Sequence, residues 1–326
     1  MAPKSQEALE PGPAPIALYL FTISSRKNFI SRNDARGSAT VNTFPVLKDK
    51  VAIITGASRG IGLATALRLS REGVHIVAAA KTTTPNPRLP GTIQETVAAV
   101  EAAGVRALGV KCNVRHVAEL EKLVQETVDT FGRIDILINN AGAIWVEPIE
   151  DTPEKRFDLV MDVNFKAPFF LSQLCLPHML KNGWGHIVNM SPPVAPDDAK
   201  GKIAYMSSKF NMTLLTHGLA GELKGKPVGV NSLWPKTLVE SLATKNWGMG
   251  QPKDWRKADV LADAVAVILG QDPVTYTGQA LIDEDVLRER GGVTDFSAYN
   301  VVPDGQPVNL DWDELQNVLQ QMKSKA

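Results

Sequence analysis

Two side chains able to exchange or tune a proton stand four residues apart in Tyr205-Met206-Ser207-Ser208-Lys209. On a helix, that spacing places the phenol and the ammonium on one face, close enough to interact. A phenol titrates near about 10 and is a poor acid–base at neutral pH, but a neighbouring cation favours the phenolate and lowers that value. Tyr205 thus reads as a proton donor tuned by Lys209. A Tyr/Lys pair alone describes ordinary packing beside a solvated lysine equally well, so the reading needs a reactant held nearby.

A site for one is written in Thr55-Gly56-Ala57-Ser58-Arg59-Gly60-Ile61-Gly62, directly after the run Val51–Thr55 and at the start of a helical pattern. Glycines permit the tight turn, let the backbone approach a pyrophosphate and allow close helix–sheet packing, while the helix N-terminus supplies oriented N–H donors. Gly56, Ala57, Ser58, Arg59, Gly60, Ile61 and Gly62 are therefore read as binding a dinucleotide. An acid at the end of the second strand would select the 2′-hydroxyl of NAD, and basic residues the 2′-phosphate of NADP. Here the strand ends Ala78-Ala79-Ala80-Lys81-Thr82-Thr83-Thr84, with no acid, and Arg59 adds a second positive charge. Lys81 and Arg59 point to NADP(H), with the hydroxyls of Ser58 and Thr82 as further phosphate ligands.

The elements that must position these groups follow from periodicity. Short β-branched runs occur at Val51–Thr55, His75–Ala80, Ala107–Cys112, Ile134–Asn139, His186–Met190, Val228–Leu233 and Gln279–Asp283, with amphipathic stretches between them. Gly60 to Arg71 carries Ile61, Ala64, Leu67 and Leu69, and Asp151-Thr152-Pro153-Glu154 marks the start of another long helix. Seven strands alternating with helices predict a doubly wound α/β fold of the Rossmann type, a parallel sheet covered on both faces. The reading divides the chain into an extension or targeting segment over 1–47, the nucleotide-binding domain over 48–285 and a tail over 286–326. In that tail, Asp311-Trp312-Asp313-Glu314 resembles a capping box, and Leu315, Val318, Leu319 and Met322 recur at helical spacing to pack on the same domain.

Composition narrows the partners. Among 326 residues, 35 Lys plus Arg balance 35 Asp plus Glu, so there is no basic excess with which to neutralise nucleic-acid phosphates. No apolar run approaches the roughly 18 residues of a membrane-spanning helix. Cys112 and Cys175 lie in separate apolar segments and read as buried, reduced thiols. His75, His116, His178, His186 and His217 show no ligand spacing, and no bound metal is expected.

Taken together, the glycine loop, Asn139-Asn140-Ala141-Gly142 after the fourth strand, Asn164 in the next helix and Tyr205-x-x-x-Lys209 resemble, over residues 48 to 285, the motif set of the short-chain dehydrogenase/reductase family. The resemblance implies hydride transfer between NADP(H) and a carbonyl or secondary alcohol. Tyr205 would exchange the proton, Lys209 would hold the nicotinamide ribose, Asn164 would keep a relay water and Ser191 would polarise the carbonyl. Asn140, Ala141 and Gly142 would line the ribose side, and Asn113 would meet the adenine. Homo-oligomers are implied as well.

Within the family, Ala79-Ala80-Lys81-Thr82, the insert Thr84–Ile93, Val188-Asn189-Met190-Ser191-Pro192-Pro193 and Asn231–Thr237 are similar to the hydroxysteroid dehydrogenase-like protein 2 subgroup. This implies peroxisomal or mitochondrial residence and lipid metabolism. Three positions depart from the wider pattern. The serine usually lies thirteen residues before the tyrosine, where this chain has Pro192, so Ser191 must reach the same spot; Asn113 replaces an aspartate; Lys236 replaces a glycine. An NADP(H)-binding scaffold or redox-responsive partner with little catalysis is the alternative function. Leu238 to Trp255, where the family keeps its substrate loop, is rich in Gly, Met and Trp and suggests an apolar, lipid-derived substrate.

Overall fold

Runs of Val, Ile and Ala that alternate between two apolar environments form the centre of the structure. In the first strand, Ala52 and Ile54 enter one buried cluster while Val51 and Ile53 enter another, as the two-residue period of a strand covered on both faces requires. The structure is a computed structural model in which residues 41–86 and 90–310 are described. The chain runs β1 (Val51–Thr55), α1 (Gly60–Arg71), β2 (His75–Ala80), α2 (Ile93–Glu101), β3 (Ala107–Lys111), α3 (Val117–Phe131) and β4 (Ile136–Asn139). It continues through α4 (Glu154–Met161), α5 (Ala167–Asn182), β5 (Gly185–Asn189), α6 (Ile203–Glu222) and β6 (Val228–Trp234). The last elements are α7 (Leu242–Asn246), α8 (Asp259–Leu269), β7 (Ala280–Ile282) and α9 (Asp283–Glu289).

All seven strands pair in parallel in the order β3-β2-β1-β4-β5-β6-β7. The expected doubly wound sheet is therefore present, and each expected strand lies within two residues of its predicted ends. The order reverses between β1 and β4, which opens a crevice at the carboxyl ends of those strands. The glycine loop after β1 and the Asn140-Ala141-Gly142 segment after β4 meet there.

Two expectations about helices need revision. Asp151 does not cap the helix after β4; it ends a short 3-10 turn, Ile149–Asp151, and α4 begins after Pro153 without a side-chain cap. The long amphipathic run is also broken by a π-helical turn at Asp162–Lys166, between α4 and α5. The amphipathic helix expected over 315–322 and residues 1–40 of the expected 1–47 extension lie outside the described residues; the end of that extension belongs to the domain, since Pro45–Leu47 form a 3-10 turn, Leu47 is fully buried in the main core and Val41 and Phe44 pack against it.

The chain beyond β7 joins the main core. Every residue of α8 from Val260 to Leu269 is buried, so the helix cannot rely on one apolar stripe. Val286, Leu287, Val293, Phe296 and Tyr299 enter the same cluster, and the Tyr299 hydroxyl donates to the Asp263 carboxylate of α8 at 2.8 Å.

Candidate active site

The crevice continues into a cavity of about 1070 Å3 that runs past the glycine loop, Lys81, Asn113, Tyr205 and Trp247. At its cofactor end, Gly56 has a φ of +67° and Gly60 of +54°, left-handed values that a side chain would strain. A Cβ on Gly62 would lie 2.4 Å from the carbonyl oxygen of Gly56 and 2.9 Å from the Ala57 Cα, so helix α1 can approach the turn only with glycine at this position. Gly62→Ala is expected to lower NADPH affinity at least about tenfold and stability by about 1–3 kcal/mol, because the clash is with backbone. A fluorescence titration and a thermal melt would check both, and unchanged NADPH binding would remove the close-approach argument.

Thr55 and Asn140 hold the two loops together. The backbone N–H groups of Asn140 and Ala141 each donate to Thr55 Oγ1 at 3.0 Å, and Asn140 Nδ2 returns a bond to the Thr55 carbonyl at 2.8 Å. Gly56, Ser58, Arg59, Gly60, Ile61, Asn140, Ala141 and Gly142 all line the cavity, whereas Ala57 and Gly62 are buried behind it. This is a cradle a dinucleotide fits: backbone is presented to the cavity, and the positions where a Cβ would intrude are glycine.

Arg59 is engaged differently from its expected role. Its Nε donates to the Pro90 carbonyl and its Nη2 to the Gly91 carbonyl, both at 2.8 Å, so the guanidinium clasps the segment leading into α2. Gly91 (φ +96°) lies so near that a Cβ would come within 2.3 Å of the Ser58 carbonyl oxygen. Lys81 stands exposed on the cavity wall beside Thr82. Asn113 also lines the cavity; its backbone N–H donates to the Glu119 carboxylate at 2.7 Å.

At the other end, α6 brings Tyr205 and Lys209 to one wall. Lys209 is 4% exposed and its Nζ donates to the Met190 carbonyl at 2.7 Å. Burial lowers its ammonium to about 8 and pushes the half-buried Tyr205 phenol above its ordinary value. The expected lowering of the phenol by Lys209 is therefore outweighed by desolvation, the lysine being committed to a backbone oxygen. Lys202, one helical turn before Tyr205, also lines this end; burial lowers it to about 8, with Asp198 opposing the shift.

Asn164 and Ser191 are not brought to the cavity wall. Asn164 is fully buried in the π-helical turn, where its Nδ2 donates to the Ala143 carbonyl and to Ser208 Oγ at 2.9 Å, and its Oδ1 accepts the Ala143 N–H at 2.8 Å. Ser208 Oγ donates in turn to the Tyr205 carbonyl at 2.6 Å. Both amide protons of Asn164 are thus used by protein, and the residue braces the loop after β4 against the helix that bears Tyr205. Ser191 is fully buried, with its Oγ accepting from Thr213 Oγ1 at 2.8 Å, while Pro192 and Pro193 line the cavity instead. The one-residue offset from the usual position points the hydroxyl into the core.

Residues beyond the sequence reading complete the site. Thr55 and Ser208 stand inside the glycine-loop and Tyr205/Lys209 motifs without a role of their own there, and Thr213 lies outside them; what Thr55 and Thr213 hold becomes visible only through partners far along the chain. Asp283, fully buried, accepts the Lys236 N–H at 2.8 Å and the Glu284 N–H at 2.7 Å, and burial raises its carboxyl to about 7. It fixes the backbone of Lys236, which lines the cavity beside Trp234. Among the described residues, no group of three His, Cys, Asp or Glu side chains could hold a metal ion, and no helix is long and apolar enough to cross a membrane. Cys112 and Cys175 are buried, and desolvation pushes each thiol up to about 12.

Comparison with known proteins agrees with this geometry. The short chain dehydrogenase family profile matches residues 50–249. Hydroxysteroid dehydrogenase-like protein 2 of Danio rerio is 42% identical over 270 residues, which cover 79% of this chain and 64% of that protein. The human protein of that name is 41% identical over 262 residues, 79% of this chain and 62% of its own length, so the chain spans less than two thirds of these relatives. A putative dehydrogenase from Xanthomonas campestris superposes with a TM-score of 0.78 at 42% identity, covering 81% of this chain and 97% of that one. A metagenomic short-chain oxidoreductase solved with NADP (TM-score 0.62, 27% identity) covers 72% of this chain and 97% of its own. The Mycobacterium paratuberculosis short chain dehydrogenase solved with NAD (TM-score 0.62, 26% identity) covers 72% and 96%. With the glycine cradle, the order-reversing sheet and the Tyr205/Lys209 wall all in one crevice, the chain belongs to the short-chain dehydrogenase/reductase family of oxidoreductases.

Proposed function

We propose that the protein interconverts a carbonyl and a secondary alcohol with NADP(H), acting on an apolar, lipid-derived substrate. The observation that carries this reading is the placement of Tyr205 and Lys209 on one wall of the cavity that the glycine loop opens. The cofactor, when bound, supplies or takes up the hydride. Tyr205, protonated at neutral pH, gives its proton to the substrate oxygen in reduction. Lys209 holds the nicotinamide ribose, and Asn140 to Gly142 line the same side. Leu238, Leu242, Trp247 and Met249 give the substrate end its apolar lining. Consumption of NADPH over a panel of ketones and aldehydes tests the reading, and no turnover with any class would overturn it.

The NADP(H) preference rests on Lys81, which is exposed on the cavity at the end of β2 with no acid beside it. Relatives solved with NADP and with NAD both occur, so the local charge must decide. Lys81→Ala is expected to weaken NADPH roughly tenfold, about 1.4 kcal/mol, while leaving NADH within twofold. Equal losses for both cofactors would remove Lys81 as the reader of the 2′-phosphate.

A second reading, a cofactor-binding protein with little catalysis, is favoured by one observation: Pro192 on the cavity wall offers no donor to a carbonyl. Tight NADPH binding with no carbonyl turnover is the outcome that reading requires.

A further inference from the structure

The segment after α9 does more than cover α8, because its end reaches the cavity. Thr237 and Asn309 pair as an antiparallel bridge, flanked by bonds from the Leu238 N–H to the Val308 carbonyl and from the Leu310 N–H to the Lys236 carbonyl, both 2.8 Å. The far end of the substrate loop is tied to the same segment: the Val308 N–H donates to the Asp254 carbonyl at 3.0 Å and the Val301 N–H to the Trp255 carbonyl at 3.1 Å. Arg256 closes the clasp, with Nε on Glu284 at 2.7 Å and Nη1 on the Phe296 carbonyl and Asn300 Oδ1 at 2.8 Å. Both ends of the loop are thus bonded to chain from beyond the last strand.

The side chains carried by this backbone have a place in the site. Leu238 and Trp255 form a small buried cluster with Met249, Val301, Val308 and Leu310. Of these, Leu238, Met249 and Leu310 also line the cavity, and Asn309 joins them. The apolar wall at the substrate end is therefore built from two parts of the chain, and the part carrying Leu310 is held by backbone bonds rather than by loop packing alone.

The geometry points to Asn309 and Leu310, held in place by the backbone bonds of Val308 and Leu310, as the fixed end wall of the substrate cavity, with Leu310 a specificity-determining residue for the apolar part of the substrate. This rests on the apolar-substrate reading above and names the residue that reads it. An apolar chain long enough to reach this wall gains burial against Leu310, whereas a short one does not touch it. A carboxylate at position 310 would face that chain unpaired and oppose its burial.

The test uses the full chain saturated with NADP+, with 1-decanol and 1-hexanol as probes and the change in tryptophan fluorescence on binding as the readout, since Trp234 and Trp247 line the cavity. Leu310→Glu is expected to weaken decanol about tenfold or more and hexanol less than about threefold, with NADP+ affinity unchanged within about twofold. Leu310→Ala, which keeps the backbone bridge, should lower the decanol-to-hexanol preference about threefold. Val302→Glu, at an exposed apolar position of the same segment, should change neither. The inference is overturned if wild type does not bind decanol, if both alcohols weaken alike in the Leu310 variants, or if Val302→Glu reproduces their effect. No turnover is needed, so failure of the oxidoreductase reading in the carbonyl panel would be a separate result.

Discussion

Tyr205→Phe is expected to lower carbonyl reduction by about 10²- to 10⁴-fold, the usual worth of a positioned general acid, while NADPH affinity changes less than about twofold. The phenylalanine keeps the ring that lines the cavity wall and removes only the hydroxyl, the proton donor with it. The pH profile separates Tyr205 from Lys209. Burial raises the phenol, so it remains protonated through neutral pH and causes no loss of reduction there. Lys209, lowered to about 8, is cationic below that value and loses its charge as pH rises through it. Reduction should therefore be flat between about pH 6 and 7 and fall above about 8, and Lys209→Met should abolish that step along with most activity. Steady-state kcat/KM across this range is the measurement. If Tyr205→Phe keeps more than a tenth of wild-type activity, the phenol is not the donor.

A second large effect is expected at Pro192, the wall position that carries no hydroxyl. Pro192→Ser places an O–H where proline has neither N–H nor hydroxyl, and it is expected to raise kcat by up to about 10²-fold, within the range one oxyanion donor contributes. Ser191→Ala should change kcat less than about threefold and cost about 0.5–1.5 kcal/mol of stability, since its Oγ serves as an acceptor inside the core. Thr213 has a second acceptor, the Pro192 carbonyl at 2.6 Å, which limits that cost. Steady-state kinetics and thermal melts on the two variants decide the matter. Loss of turnover in Ser191→Ala with no gain in Pro192→Ser would make Ser191 the carbonyl donor despite its burial.

Particular residues show why some of this was legible in the sequence. The strands are short runs of Val, Ile and Ala bounded by turn residues, a pattern set by local propensity and the two-residue period, so their ends agreed closely. The glycine loop was legible because its constraint is local: Gly56 and Gly60 need positive φ, and Gly62 must clear the Gly56 carbonyl. The π-helical turn was not, because nothing in Asp162-Val163-Asn164-Phe165-Lys166 breaks helical periodicity; the wider turn is visible only beside the Ala143 and Ser208 partners that Asn164 meets. Direction was equally hidden. Whether Ser191 faces the cavity depends on Thr213 in α6, and whether Arg59 faces a phosphate depends on the Pro90 and Gly91 carbonyls. The cation four residues from the phenol is visible in the sequence, whereas the burial that raises the phenol is not.

The uninterrupted burial of α8 bears on where this domain ends as a folding unit. The family motifs are complete by residue 249, yet a chain stopped there would lack α8, which packs against α1. One stopped after α9 would leave the buried cluster that holds α8 without Val293, Phe296 and Tyr299. Apolar surface uncovered in that way favours association over folding. The smallest autonomous unit is therefore set by what completes the cluster around α8 and reaches at least Tyr299, fifty residues past the last one the family profile recognises.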